Sequence, residues 1–394
     1  MKLPIEKNAN EKILYLEGLR GVAMSVVVLN HFAAIFYPAI IFGEQAYSHN
    51  NLELIIYKTP LNIFFSGIFA ISIFFLLSGY FLSYKYFRFH NEEPLIPSMI
   101  KRYLRLAIPT LISVLIAFLL LKNNLFHNLS TSSITGSSMW FANFWNFNAD
   151  LYNVIIEGVF MTSIFIGNLT YNPVLWMMGY ELAGSFLIYI ALWIFQHTKK
   201  KILVYFLLFL FTFAWKSYLM GFVLGMLICD LEYRSKVNIF IYKNKILGII
   251  FLVMAIILGS FPIGSTQDTI FDFIKIPLLS DSRNIILFQT IAASFIFLAI
   301  KNLRILKMIL EFSILRFLGE ISFSVFFLHL IIFGSFSSLI FEILSNYLSY
   351  NISVLIVFII SFPLILVAAF YFNKFIVLKS LKFANFAKRL INQK

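Results

Sequence analysis

Long apolar runs constrain this chain more than any other feature. Ten of them follow one another at about 14–40, 61–84, 105–122, 172–195, 201–216, 218–230, 246–262, 284–300, 312–340 and 352–376. A helix needs about 20 apolar residues to cross a bilayer. In hydrocarbon, every backbone N–H and C=O must be satisfied within its own segment, so such runs fold as helices. Composition agrees: 60% of residues are hydrophobic and 12% are charged, where a soluble domain is nearer about 45–50% apolar and about 25% charged. The expected fold class is all-α, a polytopic membrane protein of about ten transmembrane helices. It forms a single membrane domain over 1–394, with no sizeable soluble part. The run 218–230 is short and contains glycine, so it has the weakest claim to a full crossing.

Charge orients the spans. With the N-terminus inside, the inner segments collect most of the lysine and arginine, among them Lys85, Arg88, Lys101, Arg102, Arg105, Lys301 and Arg304 and the basic tail 377–394. The outer loops hold only Lys58, Lys122, Lys216, Lys275 and Arg283. This asymmetry predicts both termini on the cytoplasmic side. It also gives the net charge of +13 a membrane explanation, so no nucleic-acid partner is expected. The polar stretch 1–12 lacks the features of a signal peptide, and the first span is expected to stay uncleaved. The single cysteine, Cys229, excludes an intrachain disulfide and reads as a small buried apolar residue. No metal site is expected. The longest outer stretch, 123–171, contains STSSITGSSMWFANFWNF and then the apolar run VIIEGVFMTSIFIG. That run is too short to span easily and reads as an interfacial or re-entrant helix. Trp140 and Trp145 read as membrane-surface anchors; the alternative is an aromatic platform for a sugar or lipid acceptor.

Against this apolar background a few polar groups stand out, because a titratable side chain inside a membrane is costly and usually functional. In EGLRGVAMSVVVLNHF the spacing from Arg20 to His31 is three helical turns plus about 20°, which puts both on one face. They are separated by about 16 Å along the axis. Glu17, one turn before Arg20, is placed to pair with it. The alternative is a snorkelling arginine and a histidine bonded to a neighbouring helix. In KRYLR, Arg102 and Arg105 are one turn apart and point the same way; guanidinium forks suit phosphate oxygens, although inward-facing charge alone would give the same cluster. Glu181, inside the fourth span, needs a partner. It is expected either to orient His31 or to pair with an arginine, as a site element or a purely structural ion pair. The ninth span carries GEISFSVFFLHL with Glu320 and His329; its serines are expected to bond to backbone carbonyls.

Together these pieces resemble the acyltransferase 3 family of membrane O-acyltransferases, over most of the chain and in the family's order. EGLRGVAMSVVVLNH is similar to its opening helix, FFLLSGYFLS to its second-helix motif, and RYLR to its paired arginines. LWMMGYELAGS is similar to its tryptophan–glutamate motif, and LGEISFSVFFLHL to its C-terminal glycine–serine–histidine motif. Two positions depart from the usual pattern. Glu17 stands where aspartate is common, and Glu181 is followed by Leu-Ala-Gly-Ser rather than an acidic-glutamine-aromatic run. No C-terminal hydrolase-like domain is expected.

The resemblance implies transfer of an acyl group, usually acetyl, from cytoplasmic acyl-coenzyme A (acetyl-CoA) to a hydroxyl of a cell-envelope carbohydrate or lipid-linked sugar, in a bacterial inner membrane. On this reading Arg20, Lys101, Arg102 and Arg105 bind the phosphates of the donor. His31 acts as general base or as a covalent acyl carrier. Glu181 joins it as the second catalytic residue, and Glu17, Asn30, Ser78 and His329 support the site. A secondary transporter or flippase for a polar lipid or sugar would also have about ten spans and buried charges. The absence of a visible internal repeat counts against it. Oligomeric state is not legible in the sequence.

Overall fold

The computed structural model describes residues 13–90, 94–160, 170–198, 200–214, 218–233 and 244–392, and among these the regular structure is helical throughout. The principal helices are α1 (Leu14–Phe36), α2 (Gly67–Phe89), α3 (Leu95–Lys122), α4 (Leu151–Phe160), α5 (Trp176–His197) and α6 (Lys201–Ala214). They continue as α7 (Met220–Tyr233), α8 (Lys245–Gly259), α9 (Asp281–Asn302), α10 (Ser313–Ile332), α11 (Tyr350–Phe372) and α12 (Leu378–Asn392). Each of the ten predicted runs contains a helix. Among the described residues, seven segments are long and apolar enough to cross a membrane: those built on α1, α2, α3, α5, α9, α10 and α11. α6, α7 and α8 have 14, 14 and 15 residues. At 1.5 Å per residue they reach about 21–23 Å, short of the roughly 30 Å hydrocarbon core. The predicted polar stretch 1–12, the second half of the apolar run 154–167, and Arg234, Lys236 and Lys243 lie outside the described residues.

α1, α2 and α10 form the centre of the bundle. Their spans are 67%, 67% and 72% buried, against 33% for the span that runs from α11 into α12. Lipid tails are as apolar as leucine, so close backbone approach rather than hydrophobic burial holds such helices together. α1 and α10 cross on glycine. A Cβ on Gly21 would sit 2.2 Å from the Leu315 carbonyl oxygen, and one on Gly319 would sit 2.0 Å from that of Glu17. The crossing therefore sets the Arg20–His31 helix directly against the helix of His329. α2 meets α7 in the same way at Gly79, where a Cβ would lie 2.1 Å from the Phe222 carbonyl oxygen. No rotamer change relieves a clash with backbone. Gly79→Val is therefore expected to destabilise the fold by about 1–3 kcal/mol, read as a lower thermal midpoint in detergent. An unchanged midpoint would contradict the packing described.

α3 begins ten residues before the predicted span. Its first turns, Leu95 to Arg102, mix apolar residues with a proline, a serine and two cations, which breaks the apolar run that marks a span, and Pro97 in the first turn is compatible with a helix start. KRYLR consequently lies well inside a helix rather than at its start. The first part of the outer segment folds over the C-terminal end of α1 through a short helix at Asn128–Thr135 and two single-turn 3-10 helices at Ser137–Met139 and Phe141–Asn143, with Ser137 Oγ donating to the Ala34 carbonyl at 2.7 Å. Trp145 is not a membrane-surface anchor. It is 5% exposed, stacks on Phe126 with ring centroids 3.9 Å apart, and donates its indole N–H to the Tyr171 carbonyl at 2.8 Å. Cys229 is a free, buried thiol, as its apolar surroundings in the sequence suggest.

Candidate active site

Two cavities share the face of α1 that carries Arg20 and His31. The first, of about 500 Å³, is lined by Arg20, Arg102, Arg105, Glu181 and Ser78, with Glu17 and Glu320 also on its wall. A mouth of about 280 Å³ adjoins it, shares Lys85 with it and adds Lys101. All four predicted cationic residues thus converge on one space. Arg20 lies over the Phe81 ring, 5.1 Å from its centroid, and is 3.8 Å from the Glu17 carboxylate. Arg102 is held from two sides. Its Nε donates to Ser185 Oγ at 2.8 Å, and its Nη2 makes a short contact with Glu181 Oε1. Ser78 donates to the same Glu181 oxygen at 2.6 Å. Adjacent residues of the second-helix motif therefore do separate work: Ser78 fixes the carboxylate, and Gly79 lets α7 approach.

Arg105 differs from its neighbours. Among the described residues its guanidinium meets no carboxylate, carbonyl or ring. A cation facing a membrane-embedded cavity without an acceptor is a cost unless an anion arrives. The second Glu181 oxygen, Oε2, is buried and likewise lacks a donor. Of the two partners expected for Glu181, the structure has the arginine. His31 and Glu181 do not bond to one another.

The second cavity, of about 420 Å³, is lined by His31 and Asn30 with Trp140, Phe144, Trp176 and apolar side chains. Asn30 is anchored by donating to the Phe65 carbonyl at 2.6 Å. Gly67 leaves it room, since a Cβ there would sit 2.7 Å from Asn30 Oδ1. The ring partner of His31 is His329, with 2.7 Å between His31 Nδ1 and His329 Nε2. His329 Nδ1 lies 2.9 Å from the Val325 carbonyl oxygen. A carbonyl only accepts, so His329 Nδ1 carries a proton. In a neutral ring, Nε2 is then the acceptor, and His31 must donate from its Nδ1. The chain of bonds leaves the lone pair of His31 Nε2 free to take a proton. Trp140 stacks on the other face of His31, with centroids 5.6 Å apart and planes 10° from parallel. Trp140 was offered by the sequence as a site residue only through the alternative reading, an aromatic platform for an acceptor. It lies on an irregular segment without periodicity, and only the local density of aromatic residues marked it.

The predicted residues fall into two groups: Glu17, Arg20, Ser78, Lys101, Arg102, Arg105 and Glu181 around the first cavity, and Asn30, His31 and His329 at or beside the second. Cations gather at one end of α1 and a base-competent imidazole at the other, as acyl transfer from an anionic donor to a hydroxyl would require. No curated protein and no solved structure matches the chain. A model of one family does, the one termed Acyl_transf_3 and described as an acyltransferase domain, over residues 13–373. That match takes in every residue of both cavities named here, and on it the chain belongs to the acyltransferase 3 family.

Proposed function

We propose that this membrane acyltransferase moves an acyl group, acetyl by preference, from acyl-coenzyme A to a hydroxyl of a cell-envelope carbohydrate or lipid-linked sugar in a bacterial inner membrane. The observation that carries the reading is the pair of cavities on one helix face, one with an unpartnered guanidinium and the other with an imidazole whose Nε2 is free. Arg20, Arg102 and Arg105, with Lys101 at the mouth, bind the phosphates of the donor, where guanidinium forks give paired bonds to oxygen. Glu181 positions Arg102. The pantetheine arm extends from the cations toward His31, over the roughly 16 Å that separates Arg20 from His31 along α1.

At His31 the acceptor hydroxyl gives its proton to Nε2 as its oxygen attacks the thioester carbonyl carbon. The C–O bond forms, the C–S bond breaks, and the departing thiolate takes the proton back from His31. His329 accepts the Nδ1–H of His31 throughout. It holds the tautomer in the way a carboxylate does in a hydrolase triad, but without adding a second charge to the membrane.

Sidedness tests this reading. The end of α1 bearing Arg20 is the basic end of the molecule, which the distribution of lysine and arginine assigns to the cytoplasm. In oriented vesicles, acyl-coenzyme A on that face alone should support transfer, and on the opposite face alone should not. Donor competence from both faces would contradict the proposal.

A further inference from the structure

Among the described residues, the two cavities have no lining residue in common. Between them lies a neck with only about 10 Å³ of free space, bounded by Val27, Phe74, Ser322, Phe326 and His329 among others. Phe74, Ser322 and Phe326 also line the arginine cavity, and Val27 also lines the histidine cavity. The neck therefore borders both spaces. Its volume is close to that of a single water-sized sphere. Its walls are stiff for two reasons. Val27 and Phe326 are 2% and 6% exposed, and the α1–α10 crossing that holds them rests on glycine with backbone in contact. His329 is fixed at both ring nitrogens, so it cannot swing aside without breaking the chain of bonds to His31.

We infer that this neck selects the donor by the cross-section of its acyl group, admitting unbranched chains and excluding those branched next to the carbonyl. The inference rests on the acyl-transfer reading. A donor anchored by its phosphates at the arginines must send its thioester through the neck to reach a hydroxyl beside His31 Nε2. A linear chain, one methylene wide, fits a passage of one water diameter. A branch at the carbon next to the carbonyl widens the chain there by one methyl, and packed walls resist even one added methylene. Chain length is a weaker criterion, because the chain enters end-on and the histidine cavity beyond holds about 420 Å³.

Isomeric donors separate width from size. n-Butyryl- and isobutyryl-coenzyme A have the same atoms and the same phosphate-bearing head. In membrane vesicles from expressing cells, which retain the native acceptor, transfer from each labelled donor can be followed beside acetyl-coenzyme A. The wild-type protein should favour the n-butyryl donor by about 10-fold or more, the usual discrimination for a misplaced methyl. Both isomers should compete with acetyl-coenzyme A equally well, because the head binds at the arginines; the difference should therefore fall on kcat. Val27→Ala and Phe326→Leu should each bring the two rates to within about 2-fold, a ratio that a general loss of activity does not change. A wild-type ratio near one, or a ratio that neither variant moves, would overturn the inference. Failure of every donor, acetyl included, would instead overturn the acyl-transfer reading beneath it.

Discussion

Replacing His31 with alanine should lower acyl transfer by about 10² or more, the usual contribution of a positioned general base. The variant should still insert in the membrane and bind coenzyme A, because the cationic residues proposed to hold the donor surround a separate cavity. The partner residue gives a finer test. His329→Ala leaves His31 in place but removes the acceptor for its Nδ1–H, so His31 loses its preferred tautomer and orientation. Transfer should fall strongly with donor KM unchanged. His329→Gln, whose amide oxygen is able to accept that bond, should recover part of the loss. Donor binding and transfer can be measured on the same preparations. Near-normal acylation by His31→Ala would remove the histidine from the chemistry. Equal activity of His329→Ala and wild type would remove the relay.

The arginines should separate by their partners. Arg105 shares its cavity with Glu181, whose charge acts on it at a distance, but no direct ion pair or hydrogen bond holds its guanidinium among the described residues. Arg105→Ala should therefore raise the donor KM by at least about 10-fold, the weight of a charge-assisted contact, and leave thermal stability unchanged. Arg105→Lys should rescue only in part, since an ammonium lacks the forked geometry. Arg102 is different. It is paired with Glu181 inside the protein, and Arg102→Ala strands a buried carboxylate, which costs about 3–5 kcal/mol. That variant should raise KM and also lower the unfolding midpoint, and adding Glu181→Gln should restore part of the midpoint without restoring KM. Titration of coenzyme A together with thermal unfolding reads both quantities. A wild-type KM in both alanine variants would reduce the cluster to a topology signal.

Much of this was legible in the chain because a membrane imposes simple rules. Apolar runs must be helices, and the structure has a helix in each of the ten. Hydropathy could not show where helix continues past an interrupted apolar run, so the first turns of α3, from Leu95 to Arg102, were missed. Along one helix, spacing is informative: Arg20 and His31 share a face, and Arg102 and Arg105 share a cavity. Between helices it is not. The partner of Glu181 depends on how α2, α3 and α5 pack, so its pairing with Arg102 rather than His31 emerged only from the fold. The bond from His329 to the Val325 carbonyl is a local i to i−4 contact that spacing allows. Its consequence for His31 depends on the α1–α10 crossing. Trp140 and Trp145 look alike in sequence, five residues apart on one irregular segment. One stacks on His31 and the other is buried in the core, and no periodicity distinguishes them.

Mass spectrometry of cell-surface glycans tests the central claim most directly, with cells that carry the wild-type gene compared with cells that carry His31→Ala at equal protein level. Acyl transfer predicts an acyl increment on defined sugar residues in the first and its absence in the second, with the glycan otherwise intact. Identical glycans in both, or loss of a whole glycan in the variant as a flippase would produce, would contradict it.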